Sequence, residues 1–311
     1  MKIVVTGGAG FIGSHVCDAF LAGGHDVHAL DDLSSGKAEN LDPRVKLHRA
    51  DIRSREASQL ILDEKPDAIA HLAAQMDVRR SVADPRFDAE VNIGGMLNLL
   101  EAAVKAGTRK VVFSSTGGAI YGEQDYFPAD EKHPQRPCSP YGTSKAAGEL
   151  YLNYYRQQHG LSYVALRYAN VYGPRQNPHG EAGVVAIFCD RILAGKSCTI
   201  FGDGKQTRDF VFVGDVARAN RLAMESNVNG SVNIGTGVET DVNQLYAKLA
   251  EVAGSKLAAE HAPGKPGEQK RSVIDAGYAG KVFGWKPEVK LEEGLRQTLE
   301  FFRAKKLRAA G

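Results

Sequence analysis

The sequence predicts an α/β protein, with a doubly wound parallel sheet followed by a smaller C-terminal α/β lobe. Short apolar runs alternate with longer amphipathic stretches over about the first 170 residues, a glycine-rich turn follows the first run, and the alternation loosens after residue 172. Continuous apolar runs are typical of parallel strands covered on both faces, and the intervening stretches are long enough for right-handed helical crossovers.

The individual elements follow from these runs. Predicted strands are Ile3–Val5, Asp26–Leu30, Ala68–Leu72, Lys110–Phe113 and Tyr163–Arg167. Predicted helices are Ser14–Ala22, Glu90–Ala106 and Ser144–His159. We therefore expect a Rossmann-like domain over residues 1–172, to which a segment around 208–238 returns, and a lobe over residues 173–311 that mainly binds substrate.

Composition excludes several classes of protein. Of 311 residues, 43% are hydrophobic and 24% are charged, which excludes a disordered or collagen-like chain. A net charge of +2 is too balanced for binding to nucleic acid or to an anionic membrane. The chain lacks an apolar run of about 20 residues, and it starts directly on a predicted strand, so we expect a cytoplasmic protein.

The cysteines indicate neither a disulfide framework nor a zinc site. Cys17, Cys138, Cys189 and Cys198 are scattered and form no CxxC pair. We therefore expect reduced, mostly buried thiols and no bound metal.

A glycine-rich turn joins the first predicted strand to the first predicted helix. Gly7, Gly10 and Gly13 follow one another at intervals of three residues. Glycines permit a tight turn, and they let a pyrophosphate approach backbone N–H groups at a helix N-terminus, where the helix dipole favours an anion. Because glycines can also serve a simple strand-to-helix turn, the neighbouring residues must decide between the two interpretations.

The residues that end the next strands favour a dinucleotide. Asp31 lies 18 residues after Gly13, close to the roughly 20 expected for a carboxylate that binds the ribose. A carboxylate there repels a 2′-phosphate, so the sequence predicts NAD rather than NADP. Further candidate contacts, at the ends of the third and fourth strands, are Asp51, Ile52, Leu72, Ala73, Ala74 and Gln75.

A tyrosine and a lysine form the candidate reactive pair. Tyr141 and Lys145 are four residues apart and lie one turn from each other on one helix face. A nearby ammonium stabilises the phenolate, which makes tyrosine a usable base near neutral pH. Ser114, Ser115 and Thr116 end the strand 25 residues upstream of Tyr141, and they supply hydroxyl groups to the same crevice.

Together these motifs resemble the extended short-chain dehydrogenase/reductases. The resemblance rests on Gly7–Gly13, Phe113–Thr116 followed by Tyr121-Gly122, Tyr141 with Lys145, Leu166–Asn170 and Arg208–Val211. Within that group the chain is most similar to the UDP-glucose 4-epimerases, over residues 1 to about 287.

The resemblance implies tightly held NAD and a UDP-sugar that is oxidised at C4 and reduced again on its other face. It implies Tyr141 as the base, Lys145 as its tuning group and Thr116 as a hydrogen-bond partner of the sugar. Implied cofactor contacts, besides the strand-end residues, are Gly7, Gly10, Phe11, Ile12, Gly13, Asp31, Asp32, Ser35, Gly36, Asn92, Ser114, Tyr141, Lys145 and Tyr168. Implied substrate contacts are Thr116, Tyr141, Asn170, Val184, Thr199, Phe201, Arg208, Arg271 and Glu268. The arginines are candidate diphosphate clamps.

Some residues depart from the family pattern. One more residue than usual separates Thr116 from Tyr121, so Ser115 could share the role of Thr116. Ser272 is small where epimerases restricted to hexoses carry tyrosine, which leaves room for a 2-acetamido group. Lys265 stands where several relatives carry arginine.

Other functions remain open at this stage. A UDP-glucuronate 4-epimerase or decarboxylase would use the same oxidation at C4. A 4,6-dehydratase carries Asp-Glu after the threonine, where this chain has Gly117 and Gly118. A non-catalytic NAD-binding module would not need Tyr141 and Lys145. The family resemblance also implies a homodimer in which two helices of the first domain pair across a two-fold axis.

Overall fold

The computed structural model describes residues 1–179, 183–264 and 269–310, with side chains described up to residue 307 in the last segment. The strands, in chain order, are β1 (Lys2–Thr6), β2 (Asp26–Asp31), β3 (Lys46–Arg49), β4 (Ala68–His71), β5 (Lys110–Thr116), β6 (Ser162–Tyr168), β7 (Asn170–Tyr172), β8 (Thr199–Phe201), β9 (Thr207–Phe212), β10 (Gly230–Ile234), β11 (Glu239–Asp241) and β12 (Glu260–Ala262). The helices are α1 (Phe11–Ala22), α2 (Arg55–Glu64), α3 (Val78–Ala83), α4 (Pro85–Ala89), α5 (Met96–Ala106), α6 (Gly117–Ile120), α7 (Pro140–His159), α8 (Val184–Leu193), α9 (Val213–Glu225), α10 (Val242–Ala253), α11 (Gly277–Phe283) and α12 (Leu291–Ala310).

A seven-stranded parallel sheet organises the larger lobe, here called the sheet lobe. Its strand order is β10-β6-β5-β4-β1-β2-β3. The chain runs outward from β1 through β2 to β3, and it then returns to β4 on the other side of β1. This reversal opens a crevice at the carboxyl ends of β1 and β4, where α/β sheets bind ligands. The predicted α/β fold class is confirmed.

Helices cover both faces of this sheet. On one face α1 packs against α9, and on the other α2 packs against α5. Apolar side chains such as Val4, Val5 and Val112 are fully buried between the layers. Complete burial of a valine side chain stabilises the fold by roughly 1.5–3 kcal/mol. The strand β10 reaches the sheet edge from the returning part of the chain.

A second, smaller group of strands and helices forms the small lobe. It contains a three-stranded sheet, β11-β9-β7, and the parallel pair β12-β8. The helices α8, α10 and α12 pack on a separate core that includes Phe188, Leu245 and Leu299. In the described part of the chain, none of the helices is long and apolar enough to cross a membrane.

The three predicted helices differ from those observed. The predicted helix Ser14–Ala22 begins three residues earlier, at Phe11. The predicted helix Glu90–Ala106 is divided, because Glu90–Gly95 is π-helical and only Met96–Ala106 is α-helical. The predicted helix Ser144–His159 begins four residues earlier, at Pro140, with Ser139 as its N-cap. Proline suits the first helical turn because its missing N–H would lack an intrahelical partner there. This earlier start places Tyr141 inside the helix.

Candidate active site

The turn after β1 needs glycine at two positions for packing alone. Gly7 has φ +67°, and a Cβ there would lie 2.8 Å from the Ala73 nitrogen. A Cβ on Gly13 would lie 2.0 Å from the Gly7 oxygen. These glycines let the turn, the loop after β4 and α1 pack closely together.

Gly10 is less crowded than Gly7 and Gly13. A Cβ at Gly10 would have a single close neighbour outside the adjoining chain, the Gly7 oxygen, at a tight 3.1 Å. Gly10 is the N-cap of α1, and this described helix has neither a side-chain cap nor an acidic residue in its first turn. Its first N–H groups can therefore bind an anion, and the helix dipole favours one. The arrangement fits the pyrophosphate of a dinucleotide.

Asp31 lies beside this turn. Its carboxylate accepts N–H groups from Ala9 at 2.9 Å and from Leu33 at 2.8 Å. Burial raises the pKa of Asp31, while these two hydrogen bonds oppose the shift. A Cβ on Gly36 would lie 2.8 Å from Asp31 Oδ1, so this glycine allows the following loop to fold over the carboxylate. Asp32 and Ser35, by contrast, are exposed on that loop.

The two predicted cofactor contacts after β3, Asp51 and Ile52, already contact other residues of the protein. Asp51 forms an ion pair with Arg53 at 2.5 Å, and hydrogen bonding from this guanidinium lowers the pKa of Asp51. Ile52 is buried, and its side chain packs so closely on Gly95 that a Cβ there would lie 2.6 Å away.

The loop after β4 is fixed by the π-helical stretch Glu90–Gly95. Asn92 Oδ1 accepts the N–H of Gln75 at 2.8 Å, and its Nδ2 donates to the Gln75 carbonyl at 2.9 Å. Asn92 Nδ2 also donates to Asp88 at 3.0 Å. Since these contacts use both ends of the amide, the role of Asn92 here is to hold the loop that runs through Leu72, Ala73, Ala74 and Gln75.

The predicted reactive pair lies at the start of α7. Lys145 is 4% exposed, and its Nζ donates to the Ser114 carbonyl at 2.8 Å. The same nitrogen is 5.8 Å from the centre of the Tyr141 ring and 4.8 Å from that of Phe113. Burial lowers the pKa of Lys145 to about 8, and the charge of Asp88 opposes this shift. The ammonium is thus poised to act on the phenol one turn away.

Two hydroxyl residues at the end of β5, Ser115 and Thr116, have different partners. Ser115 Oγ donates to Glu149 at 2.6 Å in the buried interior. Thr116 Oγ1 accepts the N–H of Ala119 at 3.2 Å, which leaves its hydroxyl hydrogen free to donate elsewhere. Tyr168, which pairs with Thr116 across the sheet, is buried with its hydroxyl 3.2 Å from Asn220 Oδ1. Burial raises the pKa of Tyr168 to about 12.

Gly118 marks a point where three predicted residues meet. A Cβ at Gly118 would lie 3.7 Å from Asn170 Oδ1 and 3.9 Å from both Ser272 Oγ and Thr116 Oγ1. These oxygens come from the end of β5, from β7 and from the C-terminal part of the chain. The fold therefore collects polar groups from both lobes beside α6.

The two arginine candidates lie on adjacent segments. The N–H groups of Thr207 and Asp209 donate to the carbonyls of Lys270 and Ser272, so the two segments run parallel. Arg271 lies opposite Thr207, and Arg208 is one residue further along. Arg271 forms a bidentate pair with Glu239 at 2.9 and 3.0 Å, and its guanidinium lies 3.7 Å from the centre of the Phe127 ring.

The other small-lobe candidates are less closely grouped. Val184 begins α8, and Thr199 and Phe201 lie on β8, where Phe201 is 38% exposed. Glu268, and also Lys265, lie outside the described residues.

Comparison with known proteins identifies the family. Residues 3–235 match the model of the NAD dependent epimerase/dehydratase family. The chain belongs to this family. A UDP-glucose 4-epimerase of Mycolicibacterium smegmatis is 49% identical to it, over 98% of this chain and 99% of the relative.

Solved structures of epimerase/dehydratase family members agree with the fold. A Thermotoga maritima UDP-glucose 4-epimerase with UDP-glucose is 49% identical, with a TM-score of 0.96 over 98% of this chain and 100% of that one. A UDP-N-acetylglucosamine 4-epimerase of Methanobrevibacter ruminantium is 39% identical, with a TM-score of 0.93 over 98% of each chain. The resemblance inferred from the motifs is confirmed.

Sequence reasoning missed several residues that support this epimerase-type site. Ser81 Oγ accepts the N–H of Tyr141 at 3.2 Å, and Ser144 Oγ donates to the buried Asp88 at 2.6 Å. Glu149 pairs with the buried Arg167 at 2.6 Å. Glu149 could have been found, because it lies four residues beyond Lys145 on the same helix face. Ser81 and Asp88 carry no such spacing signal.

One group of potential metal ligands occurs among the described residues, at the amino-terminal edge of the sheet. His28 Nδ1 is 3.1 Å from His48 Nε2, which is hydrogen-bond distance. The nearby Glu64 pairs with Lys2 at 2.7 Å, and Lys46 Nζ is 3.3 Å from His28 Nε2. Because these groups already have partners and two ammonium groups adjoin them, we propose no metal site there.

Proposed function

We propose that this chain is a UDP-glucose 4-epimerase, an isomerase that interconverts UDP-galactose and UDP-glucose with tightly bound NAD. The observation that carries the proposal is the buried Lys145 ammonium one helical turn from Tyr141, at the carboxyl end of the strand that presents Thr116. Relatives named UDP-glucose 4-epimerase, 46–49% identical over nearly the whole chain, support it.

The sheet lobe fits NAD. The N–H groups at the start of α1, beside Gly10, suit the pyrophosphate, and Asp31 suits the hydroxyls of an unphosphorylated ribose. When bound, the nicotinamide supplies a hydride acceptor and donor for C4 of the sugar. The surrounding residues orient the two reactants and exclude water.

Proton transfer falls to this chain's own residues. Tyr141 takes the proton of the sugar 4-hydroxyl as C4 is oxidised, and it returns the proton when the 4-keto sugar is reduced. Lys145 stabilises the phenolate form of Tyr141 between these steps. Thr116 donates a hydrogen bond to the same sugar oxygen, whereas Ser115 is engaged by Glu149.

The substrate is held across the two lobes. Asn170, Arg208 and Arg271 are proposed diphosphate contacts, since a planar guanidinium can bind two phosphate oxygens. Val184, Thr199 and Phe201 are proposed to contact the uracil, and Glu268 the ribose of the nucleotide. An anchored diphosphate lets the keto sugar turn over within one site.

The second candidate is a uronate enzyme, either UDP-glucuronate 4-epimerase or decarboxylase. A UDP-glucuronic acid decarboxylase of Xenopus tropicalis is 29% identical over 97% of this chain. A 4,6-dehydratase is less favoured, because Gly117 and Gly118 offer no carboxyl group for proton transfer at the point beside Thr116. A purely NAD-binding module would not need the Tyr141 and Lys145 pair.

The first test incubates the purified protein with UDP-galactose, without added NAD, and separates the sugar nucleotides. We expect UDP-glucose to form without net NADH. If nothing forms even after NAD is supplied, the proposal is wrong, and UDP-glucuronate and the dehydratase substrates are tested next.

Acceptance of N-acetylated UDP-hexosamines is a further part of the proposal. Ser272 is small and buried beside the convergence point at Gly118. We expect UDP-N-acetylglucosamine to be epimerised, and a Ser272→Tyr variant to lose this activity by at least about tenfold while retaining turnover of UDP-galactose. Turnover of UDP-galactose alone by the unaltered protein would refute this extension.

We also propose a cytoplasmic homodimer formed through α7 and its neighbouring helix α5. Leu150, Tyr151 and Tyr154 are 70%, 40% and 52% exposed on α7, a group of large apolar side chains on one helix. Light scattering is expected to give twice the chain mass, and Leu150→Asp to shift the protein toward a monomer. Ala247→Asp, at an exposed position of α10 in the small lobe, is the matched control. A monomeric unaltered protein at micromolar concentration would refute the dimer.

A further inference from the structure

Asp88 is a buried charge without a part in the chemistry proposed above. It lies on α4 and is fully buried. Oδ1 accepts hydrogen bonds from Gln75 Nε2 at 3.1 Å and Asn92 Nδ2 at 3.0 Å, and Oδ2 accepts one from Ser144 Oγ at 2.6 Å. Taking a carboxylate out of water is costly, so this one requires a reason.

The three residues that donate these hydrogen bonds to Asp88 belong to separate parts of the sheet lobe. Gln75 is in the loop after β4, Asn92 is in the π-helical stretch, and Ser144 is on α7, next to Lys145. Asp88 therefore joins the loop that flanks the crevice to the helix that carries Tyr141 and Lys145. All three donors are neutral, so they satisfy the hydrogen-bonding capacity of the carboxylate without cancelling its charge.

The groups that face Lys145 supply one compensating charge. Tyr141 lies on the same helix, and β5 contributes the Ser114 carbonyl and the Phe113 ring. On β4, His71 stacks on Phe113, and burial together with the charge of Lys145 lowers the pKa of His71 to about 3, so it is neutral near pH 7. Asp88, from α4, is the negative charge that acts on Lys145.

We propose that Asp88 is a positioning residue for the Tyr141–Lys145 pair, which fixes α7 against the loop after β4 and supplies the counter-charge that keeps the buried Lys145 in its ammonium form. The proposal rests on the proposed epimerase function in assigning Lys145 a catalytic duty. The link from Asp88 to Lys145 is a property of the folded protein, and it can be measured without a sugar substrate.

The test is Asp88→Asn, which keeps the shape of the side chain and removes its charge. With ¹³C-labelled lysine, the Cε resonance of Lys145 is followed against pH and assigned by its absence from Lys145→Met. We expect its midpoint, near pH 8 in the unaltered protein, to fall by about one pH unit, equivalent to a roughly tenfold weaker hold on the proton. An unchanged midpoint would overturn the proposal.

Enzyme kinetics provide the second measurement. Because Lys145 must stay charged, the alkaline limb of kcat against pH is expected to move down by about one unit in Asp88→Asn. A purely structural role would lower the plateau and leave the limb in place. If Asp88→Asn does not fold, Asp88→Ser, which leaves space for water at the three donors, carries the same expectation.

Asp215→Asn is the matched control. Asp215 is also buried, accepts N–H groups from Glu288 and Val289 at 3.0 Å, and lies on α9. The Asp215→Asn variant should be less stable than the unaltered protein, but the pH midpoint of the Lys145 resonance should not change. If the unaltered protein epimerises no UDP-sugar, the proposed function fails, while the Lys145 midpoint still decides the role of Asp88.

Discussion

Two charged residues of the sheet lobe, Lys145 and Asp31, are buried and bonded to the protein, whereas Arg271 of the small lobe lies nearer the surface. Lys145 is 4% exposed and bonded to a carbonyl, while the side chain of Arg271 is 49% exposed and pairs with Glu239. A buried group is fixed in position and has a shifted pKa, which suits proton transfer. An exposed arginine can exchange its carboxylate partner for a phosphate at little cost, which suits binding and release.

The largest expected effect comes from removing the proposed base. Tyr141→Phe is expected to reduce kcat by about a thousandfold, because general acid–base catalysis contributes roughly 10²–10⁴. UDP binding, measured by calorimetry, should change little, since the small lobe supplies most of its contacts. Tyr154→Phe, at an exposed position of the same helix, is the control. Near-normal turnover by Tyr141→Phe would place the chemistry outside the sheet lobe.

Substitutions of Glu149 and Glu239, which each pair with an arginine, compare a buried ion pair with an exposed one. Glu149→Gln leaves Arg167, which is 3% exposed, without its charged partner and should reduce the free energy of unfolding by about 3–5 kcal/mol. Glu239→Gln breaks the exposed pair and should cost at most about 1 kcal/mol. Removing its charge should also lower the KM for the UDP-sugar a few-fold. Urea denaturation measures the changes in stability, and steady-state kinetics measure the change in KM. Equal losses of stability in the two variants would contradict the expected difference between the buried and the exposed ion pair.

Substitutions of Gly13 and Gly10, which lie in the same turn, distinguish a glycine needed for packing from one needed for cofactor binding. Gly13→Ala is expected to destabilise the protein by roughly 1–3 kcal/mol or more, because its Cβ would overlap the Gly7 oxygen. Gly10→Ala should change the melting temperature of the protein without NAD by only a few degrees and weaken NAD binding at least tenfold. Thermal melts with and without NAD test both variants. A strongly destabilised Gly10→Ala would show that Gly10, like Gly13, is needed for close packing against the Gly7 oxygen.

The last effect concerns the free-energy cost of burying Lys145. Its pKa is about 8 in the folded protein and 10.5 ordinarily, so folding weakens the binding of this proton. Below pH 8 the full cost is present, and it disappears as pH rises from 8 to 10.5. Lys145→Met should therefore be more stable at pH 7 by about 1–3 kcal/mol while losing activity. Chemical denaturation at pH 7 and pH 10 would refute this if the difference did not shrink at the higher pH.

The site residues of the sheet lobe can be predicted from the sequence better than those of the small lobe, and the reason is physical. The glycine turn, Asp31, and Tyr141 with Lys145 depend on spacing within one strand–turn–helix unit or one helix, and such geometry is local. Arg271 meets Phe127 and Glu239, which are far from it in the chain. No periodicity encodes contacts of that kind, and the same holds for Asp88 with Ser144.

The helix boundaries show the same limit. The sequence of Glu90–Gly95 predicts an ordinary amphipathic helix, and its local spacing does not mark the wider π-helical turn in which Asn92 contacts Gln75. Apolar periodicity predicts that α7 begins at Ser144, whereas the helix begins at Pro140, which suits the first helical turn.

Gly118 also bears on how this scaffold can acquire new chemistry. A side chain there would meet Asn170, Ser272 and Thr116 at ordinary contact distances, so a single substitution could add a functional group without rebuilding the backbone. Gly117 is less free, because its Cβ would press on Ile274 at 2.9 Å. An unfilled position of this kind lets a framework gain a functional group at one residue, and this chain retains one at Gly118.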